Sequence, residues 1–111
     1  MNAPALADKV AIVTGAGNGI GRAISITFAA AGAVVACVDV EGNAAEATAR
    51  TIAETGARSR AVRCDVSVEA DARAALEAVQ SAFGAIHVLV NAAATDDPNG
   101  TILDLIPAQW D

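Results

Sequence analysis

An α/β fold built on a doubly wound parallel sheet is what this sequence predicts, and three observations predict it. Strand-like apolar runs alternate with helical stretches along the 111 residues, the pattern of βαβ units joined by right-handed crossovers. The first such run is almost continuously apolar, as expected where helices cover both faces of a sheet. A glycine-rich turn then stands directly between that run and the first helical stretch.

The elements follow in order. Lys9 to Thr14 is the first strand. From Ile20 to Ala31, the apolar residues Ile20, Ile24 and Phe28 recur at a spacing of four, which predicts a helix with that stripe facing the sheet and Gly32 as its left-handed stop. Ala33 to Asp39 is a second strand. An alanine-rich helix from about Asn43 to Thr55 ends at Gly56. Arg58 to Cys64 is a third strand, whose arginines suit a sheet edge. Ser67 offers a hydroxyl to cap a helix running to Phe83, with Ala72, Leu76, Val79 and Phe83 as its buried face. Gly84 stops it, and Ile86 to Asn91 is a fourth strand. The expected strand order is 3-2-1-4, half of a doubly wound sheet, truncated after the fourth strand. Residues 1–111 then read as the N-terminal part of a single domain, with no second domain.

Composition narrows the function classes. A formal charge of −6 and a pI near 4.5 oppose a nucleic-acid or anionic-membrane surface, which needs a basic field. Arg50, Arg58, Arg60 and Arg63 cluster, but a solvated helix end and a charged sheet edge account for them. Cys37 and Cys64 sit in apolar runs outside any ligand spacing, so buried reduced thiols are expected and no metal site. There is no basic leader with a long apolar core, and no run approaches the roughly 18 apolar residues of a membrane span. A cytoplasmic protein is the expectation. A hydrophobic share of 54% and a mean hydropathy of +0.44 are high for so short a chain, which implies that something else covers part of its surface.

The chemistry concentrates at the strand ends. After the first strand comes Thr14-Gly15-Ala16-Gly17-Asn18-Gly19-Ile20-Gly21. Its glycines allow a tight turn and close approach of phosphates to the backbone, and the helix N-terminus that follows presents unpaired N–H groups and a positive dipole end to an anion. A strict GxGxxG pattern fails, because its sixth position falls on Ile20 or Arg22. Asp39 ends strand two, eighteen residues after Gly21, where an acidic side chain accepts hydrogen bonds from adenosine ribose hydroxyls and repels a 2′-phosphate. Asp65-Val66 ends strand three and Asn91-Ala92-Ala93-Ala94 ends strand four. All lie at carboxyl ends of parallel strands, where open α/β sheets bind ligands.

With TGxxxGxG in the turn and these strand ends, the chain from Lys9 to Asn91 resembles the short-chain dehydrogenase/reductase family. The resemblance implies a Rossmann-like fold and hydride transfer between a nicotinamide cofactor and an alcohol or ketone. It implies that Gly15, Gly17, Asn18, Gly19, Ile20 and Gly21 form the pyrophosphate turn. Asp65 would accept from the adenine amino group, the Val66 backbone would contact the ring, and Asn91, Ala92 and Ala93 would flank the adenosine ribose. Asn91 has an equally good structural reading, since a strand-end asparagine can satisfy backbone groups. NADP-preferring relatives often carry a basic residue where this chain has Asn18 or Val40, so NAD is the expected cofactor. The last motif departs from the family's Asn-Asn-Ala-Gly at Ala92 and Ala94. His87 is expected to be a partly exposed bystander.

The family's catalysis uses a tyrosine, a lysine spaced Tyr-xxx-Lys and a serine. This sequence has no tyrosine, its single lysine is Lys9, and Ser25, Ser59, Ser67 and Ser81 all fall in the cofactor half, so no catalytic residue is assigned. The sequence ends at Asp111, about one turn past Pro107, a residue suited to the first position of a helix. It therefore reads as a fragment, inactive alone, of a parent expected to be homo-oligomeric. Rival readings are weaker: a methyltransferase needs an acidic residue where Val13 stands, and epimerase-like relatives need a glycine at Asn18. A non-catalytic NAD-binding module is the alternative function.

Overall fold

The computed structural model describes residues 4–93; Ala94 and the stretch around Pro107 lie outside them. The elements are β1 (Val10–Thr14), α1 (Gly19–Ala30), β2 (Val34–Asp39), α2 (Gly42–Ala53), β3 (Ser59–Arg63), α3 (Glu69–Phe83) and β4 (Val88–Asn91). The four strands are parallel in the order β3-β2-β1-β4, the Rossmann-like arrangement expected. Register aligns Thr14 with Val38 on one side and with Asn91 on the other, and Asp39 with Arg63. The strands therefore end together, and the loops that follow them share one edge of the sheet.

Alternation along the strands builds two cores, because successive side chains of a strand point to opposite faces. Ala11, Val13, Val35 and Cys37 pack with Ala29 of α1 and with Ala45 and Ile52 of α2. Val10, Ile12, Ala36, Val38 and Cys64 pack with Ala75 and Val79 of α3. All of β1 is buried, and so is β2 after its first residue, while β3 and β4 are only half-buried. The arginines sit where an edge strand needs charge: Arg58 lies 5.2 Å over the Phe83 ring and Arg63 pairs with Asp71 at 2.9 Å.

Three expectations need correction. The sheet-facing side of α1 is Gly21, Ser25 and Ala29; Ile24 and Phe28 pack at its flanks, and Ile20 is 75% exposed. The helix comes too close to the turn for bulk: a Cβ on Gly21 would lie 2.0 Å from the Gly15 carbonyl oxygen. Ser67 does not cap α3. That helix starts at Glu69 with Val68 at the N-cap and no side-chain cap bond, because the Ser67 hydroxyl (2.6 Å) and N–H (3.0 Å) both donate to Asp65 Oδ1, a charged acceptor closer at hand. His87 is no bystander. Its Nδ1 accepts the Val10 N–H at 2.9 Å while its own N–H donates to the Val10 carbonyl at 2.8 Å, so its side chain extends the β1–β4 pairing past the end of the strand.

Among the described residues no helix is long and apolar enough to cross a membrane, and no group of His, Cys, Asp or Glu is placed to hold a metal. Cys37 and Cys64 are buried free thiols, as expected.

Candidate cofactor site

Four loops meet at the carboxyl edge, and the turn after β1 is the centre of the assembly. Gly17 shows why this turn excludes side chains. A Cβ there would lie 2.5 Å from the Ala44 Cβ and 2.9 Å from Asp39 Oδ2, so α2 and the end of β2 close on the backbone itself. Asp39, only 9% exposed, uses that closeness. Its Oδ2 accepts the Gly17 N–H at 2.8 Å and its Oδ1 accepts the Glu41 N–H at 3.0 Å. The acidic residue singled out in the sequence thus staples the turn to β2. Gly15 abuts the end of β4 in the same way, where an added Cβ would meet Ala93 Cα and N at 2.9 Å and Ala92 C at 3.0 Å.

The N-terminus of α1 faces this assembly uncapped. Asn18 holds the N-cap position in extended conformation (φ −146, ψ 159), its side chain makes no cap bond, and the first turn carries no acidic residue. Helix α3 differs only in having Glu69 and Asp71 in its first turn, and α2 shares all three features of α1. The first N–H groups of a helix lack intrahelical partners, so at α1 these donors and the positive dipole end remain available to an anion. Gly19 adopts φ +53 with open space around it. Ile20 beside it and Val40 after β2 (51% exposed) are large apolar side chains left in solvent.

Two hubs that sequence reasoning missed hold the frame. The Thr14 hydroxyl, fully buried, donates to Asn91 Oδ1 at 2.8 Å and accepts the Ala93 N–H at 3.2 Å. It joins the end of β1 to the loop after β4 and gives Asn91 a structural partner. Thr48 of α2, also fully buried, donates from Oγ1 to the Ala16 carbonyl at 2.9 Å and accepts from Arg22 Nη1 at 2.9 Å. Thr14 could have been suspected as the first letter of the motif; Thr48 left only the faint signal of a hydroxyl in an alanine-rich helix.

Asp65 and Val66 lie further out on the same edge, beyond β3. Hydrogen bonds from the Ser67 hydroxyl, and then from its N–H, hold the Asp65 carboxyl below its ordinary pKa. Val66 packs against the α3-side core. The structure joins the turn, Asp39, Ala92 and Ala93 by direct contact, and places Asp65 and Val66 in the same row of loops.

A sequence profile of the family described as short chain dehydrogenase matches residues 9–111. D-threitol dehydrogenase of Mycolicibacterium smegmatis is 45% identical over 85 residues, covering 77% of this chain and 33% of that protein. The 7alpha-hydroxysteroid dehydrogenase of Escherichia coli K12 is 41% identical over 90 residues, covering 81% and 35%. A solved structure of 7 alpha-hydroxysteroid dehydrogenase complexed with NADH and 7-oxo glycochenodeoxycholic acid superposes with a TM-score of 0.78 at 40% identity, over 82% of this chain and 36% of that one. The chain spans about a third of the length of these relatives.

Proposed function

This chain belongs to the short chain dehydrogenase family, and from that premise we propose that it forms the cofactor-binding part of an NAD-dependent oxidoreductase acting on an alcohol or ketone. The observation that carries the proposal is the uncapped α1 N-terminus with a buried carboxylate stapled beneath its turn. Gly15, Gly17, Gly19 and Gly21 keep the backbone bare, so that a pyrophosphate reaches the N–H groups from Asn18 to Gly21. Each Asp39 oxygen accepts one backbone N–H and keeps lone-pair capacity for the ribose hydroxyls. Its charge opposes a 2′-phosphate, and neither Asn18 nor Val40 supplies a cation to offset that, which favours NAD over NADP.

Ile20 and Val40 are exposed, and covering such side chains with a cofactor is worth roughly 1.5–3 kcal/mol apiece when complete. Asp65 is assigned the adenine amino group, Val66 the ring, and Ala92, Ala93 and Asn91 the adenosine ribose. The related hydroxysteroid dehydrogenase solved with NADH supports a dinucleotide in this role.

The nicotinamide, when bound, gives or takes the hydride. The residues of this chain bind and orient it. With no tyrosine in the sequence, the family's proton donor is not among them, and we assign no catalytic residue. On this reading the 111 residues bind NAD without turnover, and the reaction, the alcohol or ketone, and any homo-oligomer belong to a longer parent. The buried thiols suit a reducing, cytoplasmic setting. The absence of tyrosine also favours the second reading, a non-catalytic NAD-binding module.

Calorimetric titration with NAD and NADP tests the proposal. NAD should bind more tightly, and Asp39→Ala should weaken it at least about tenfold, since a charged hydrogen bond is worth roughly 1.5–3 kcal/mol. Equal affinity for both dinucleotides, unchanged by the substitution, would overturn the assignment. Following NADH absorbance with a panel of alcohols and ketones should show no turnover by this chain alone.

A further inference from the structure

We infer that Thr48, on a different helix from the glycine turn, is a positioning residue for the pyrophosphate end of the site, an inference that rests on the cofactor reading above. The peptide unit between Ala16 and Gly17 is held at both of its polar atoms. Asp39 Oδ2 accepts its N–H at 2.8 Å and the Thr48 hydroxyl donates to its carbonyl at 2.9 Å. A peptide unit is planar, so two bonds on opposite sides fix its rotation, and with it the direction in which the following N–H groups point.

The Thr48 hydroxyl has left its ordinary partner to do this. A threonine or serine inside a helix commonly bonds the carbonyl four residues back, and Thr51 and Ser25 do so, to Ala47 and Gly21. Thr48 instead reaches a residue 32 positions away in sequence. Arg22 sets the direction of that bond. A guanidinium only donates, so Arg22 Nη1 at 2.9 Å occupies a Thr48 lone pair and leaves the single hydroxyl proton for the Ala16 carbonyl. Arg22 Nη2 also donates to Thr51 Oγ1 at 3.2 Å. Because Arg22 belongs to the first turns of α1, this network ties the helix whose N-terminus would meet the phosphates to the peptide that aims the turn.

The test uses this chain with Thr48→Val, nearly the same shape without the hydroxyl, and Thr48→Ser, which keeps it. Dissociation constants are measured for NAD, for ADP-ribose, which retains the pyrophosphate, and for adenosine, which lacks it; thermal melting without ligand monitors the fold. Thr48→Val should weaken NAD and ADP-ribose about tenfold and leave adenosine within about twofold, the loss of about one hydrogen bond. Thr48→Ser should restore wild-type affinities. If Thr48→Val does not melt cooperatively, Arg22→Gln, which frees the Thr48 proton to turn away, carries the same comparison. Equal weakening of adenosine and NAD, or NAD affinity unchanged by loss of the hydroxyl, overturns the inference. A wild-type chain that binds neither NAD nor ADP-ribose overturns the cofactor reading and this inference together, and the wild-type arm alone reports that case.

Discussion

A single methyl group at Gly17 would have to enter space already held by the Ala44 Cβ and by Asp39 Oδ2. Neither is the end of a long flexible chain: Ala44 is part of α2, and Asp39 is held by two backbone N–H groups. Gly17→Ala should therefore destabilise the fold by about 1–3 kcal/mol, the usual range for overpacking, and abolish measurable NAD binding. Urea unfolding and calorimetry on the same preparation check both parts; a stable variant with normal affinity would show that α2 moves freely. The position of Asp39 was legible in the sequence because an acidic residue ending the second strand has a chemical reason to be there. Its bond to Gly17 was not, since that depends on how closely α2 and the turn pack. The same limit hid Thr14, Thr48 and the imidazole of His87, whose partners lie 26 to 79 residues away. Spacing along the chain carries no sign of such bonds.

Helix α3 shows what periodicity resolves and what it leaves out. Its run to Phe83, its stop at Gly84 (φ +81) and the burial of Ala72 and Val79 follow from apolar spacing and from glycine's freedom at the left-handed position. Its start does not. Ser67 has the residue type of a cap, but two neighbouring carboxylates decide the geometry: Asp65 takes the Ser67 hydroxyl and N–H, and Asp71 reaches back from the first turn to the Asp65 N–H at 3.1 Å and to Arg63 at 2.9 Å. Asp71→Ala should lower stability by roughly 1 kcal/mol, and Ser67→Ala should lower it by less, because its bond to Asp65 is exposed to solvent. Ser67→Ala has a different signature. It removes the largest cause of the lowered Asp65 pKa, so the Asp65 carboxyl should titrate at higher pH in an NMR titration. A carboxylate lowered by folding contributes stability above its unfolded pKa and loses it as pH falls through the folded value, so any acid sensitivity from Asp65 should shrink in this variant. A cap role for Ser67 would reverse the stability ranking of the two substitutions.

The two faces of the sheet each enclose one thiol, Cys37 among the residues packed under α1 and α2 and Cys64 among those under α3. The alternation of apolar runs predicted parallel strands with helices over both faces, and the strand order came with the doubly wound arrangement, while the small-residue contact of α1 was not readable because it depends on how closely that helix approaches the turn. Burial pushes both thiols from 9.0 up to about 11. For Cys37 the Ser25 hydrogen bond and Arg22 oppose this; for Cys64 the Asp71 and Asp65 charges add to it and Arg63 opposes it. Between those values the folded chain retains protons that the unfolded chain releases, so stability must fall as pH rises through that window. The expected result is a melting temperature that declines between pH 9.0 and about 11. Cys37→Ala and Cys64→Ala should each flatten the decline by removing one linked proton, at the cost of a small cavity at neutral pH. Because the thiols belong to opposite layers, their contributions should add, and a thiol reagent at neutral pH should label both only on unfolding. Rapid labelling of Cys64 alone in the native chain, with an alkaline slope that only Cys37→Ala alters, would mean that α3 opens independently of the α1 and α2 layer.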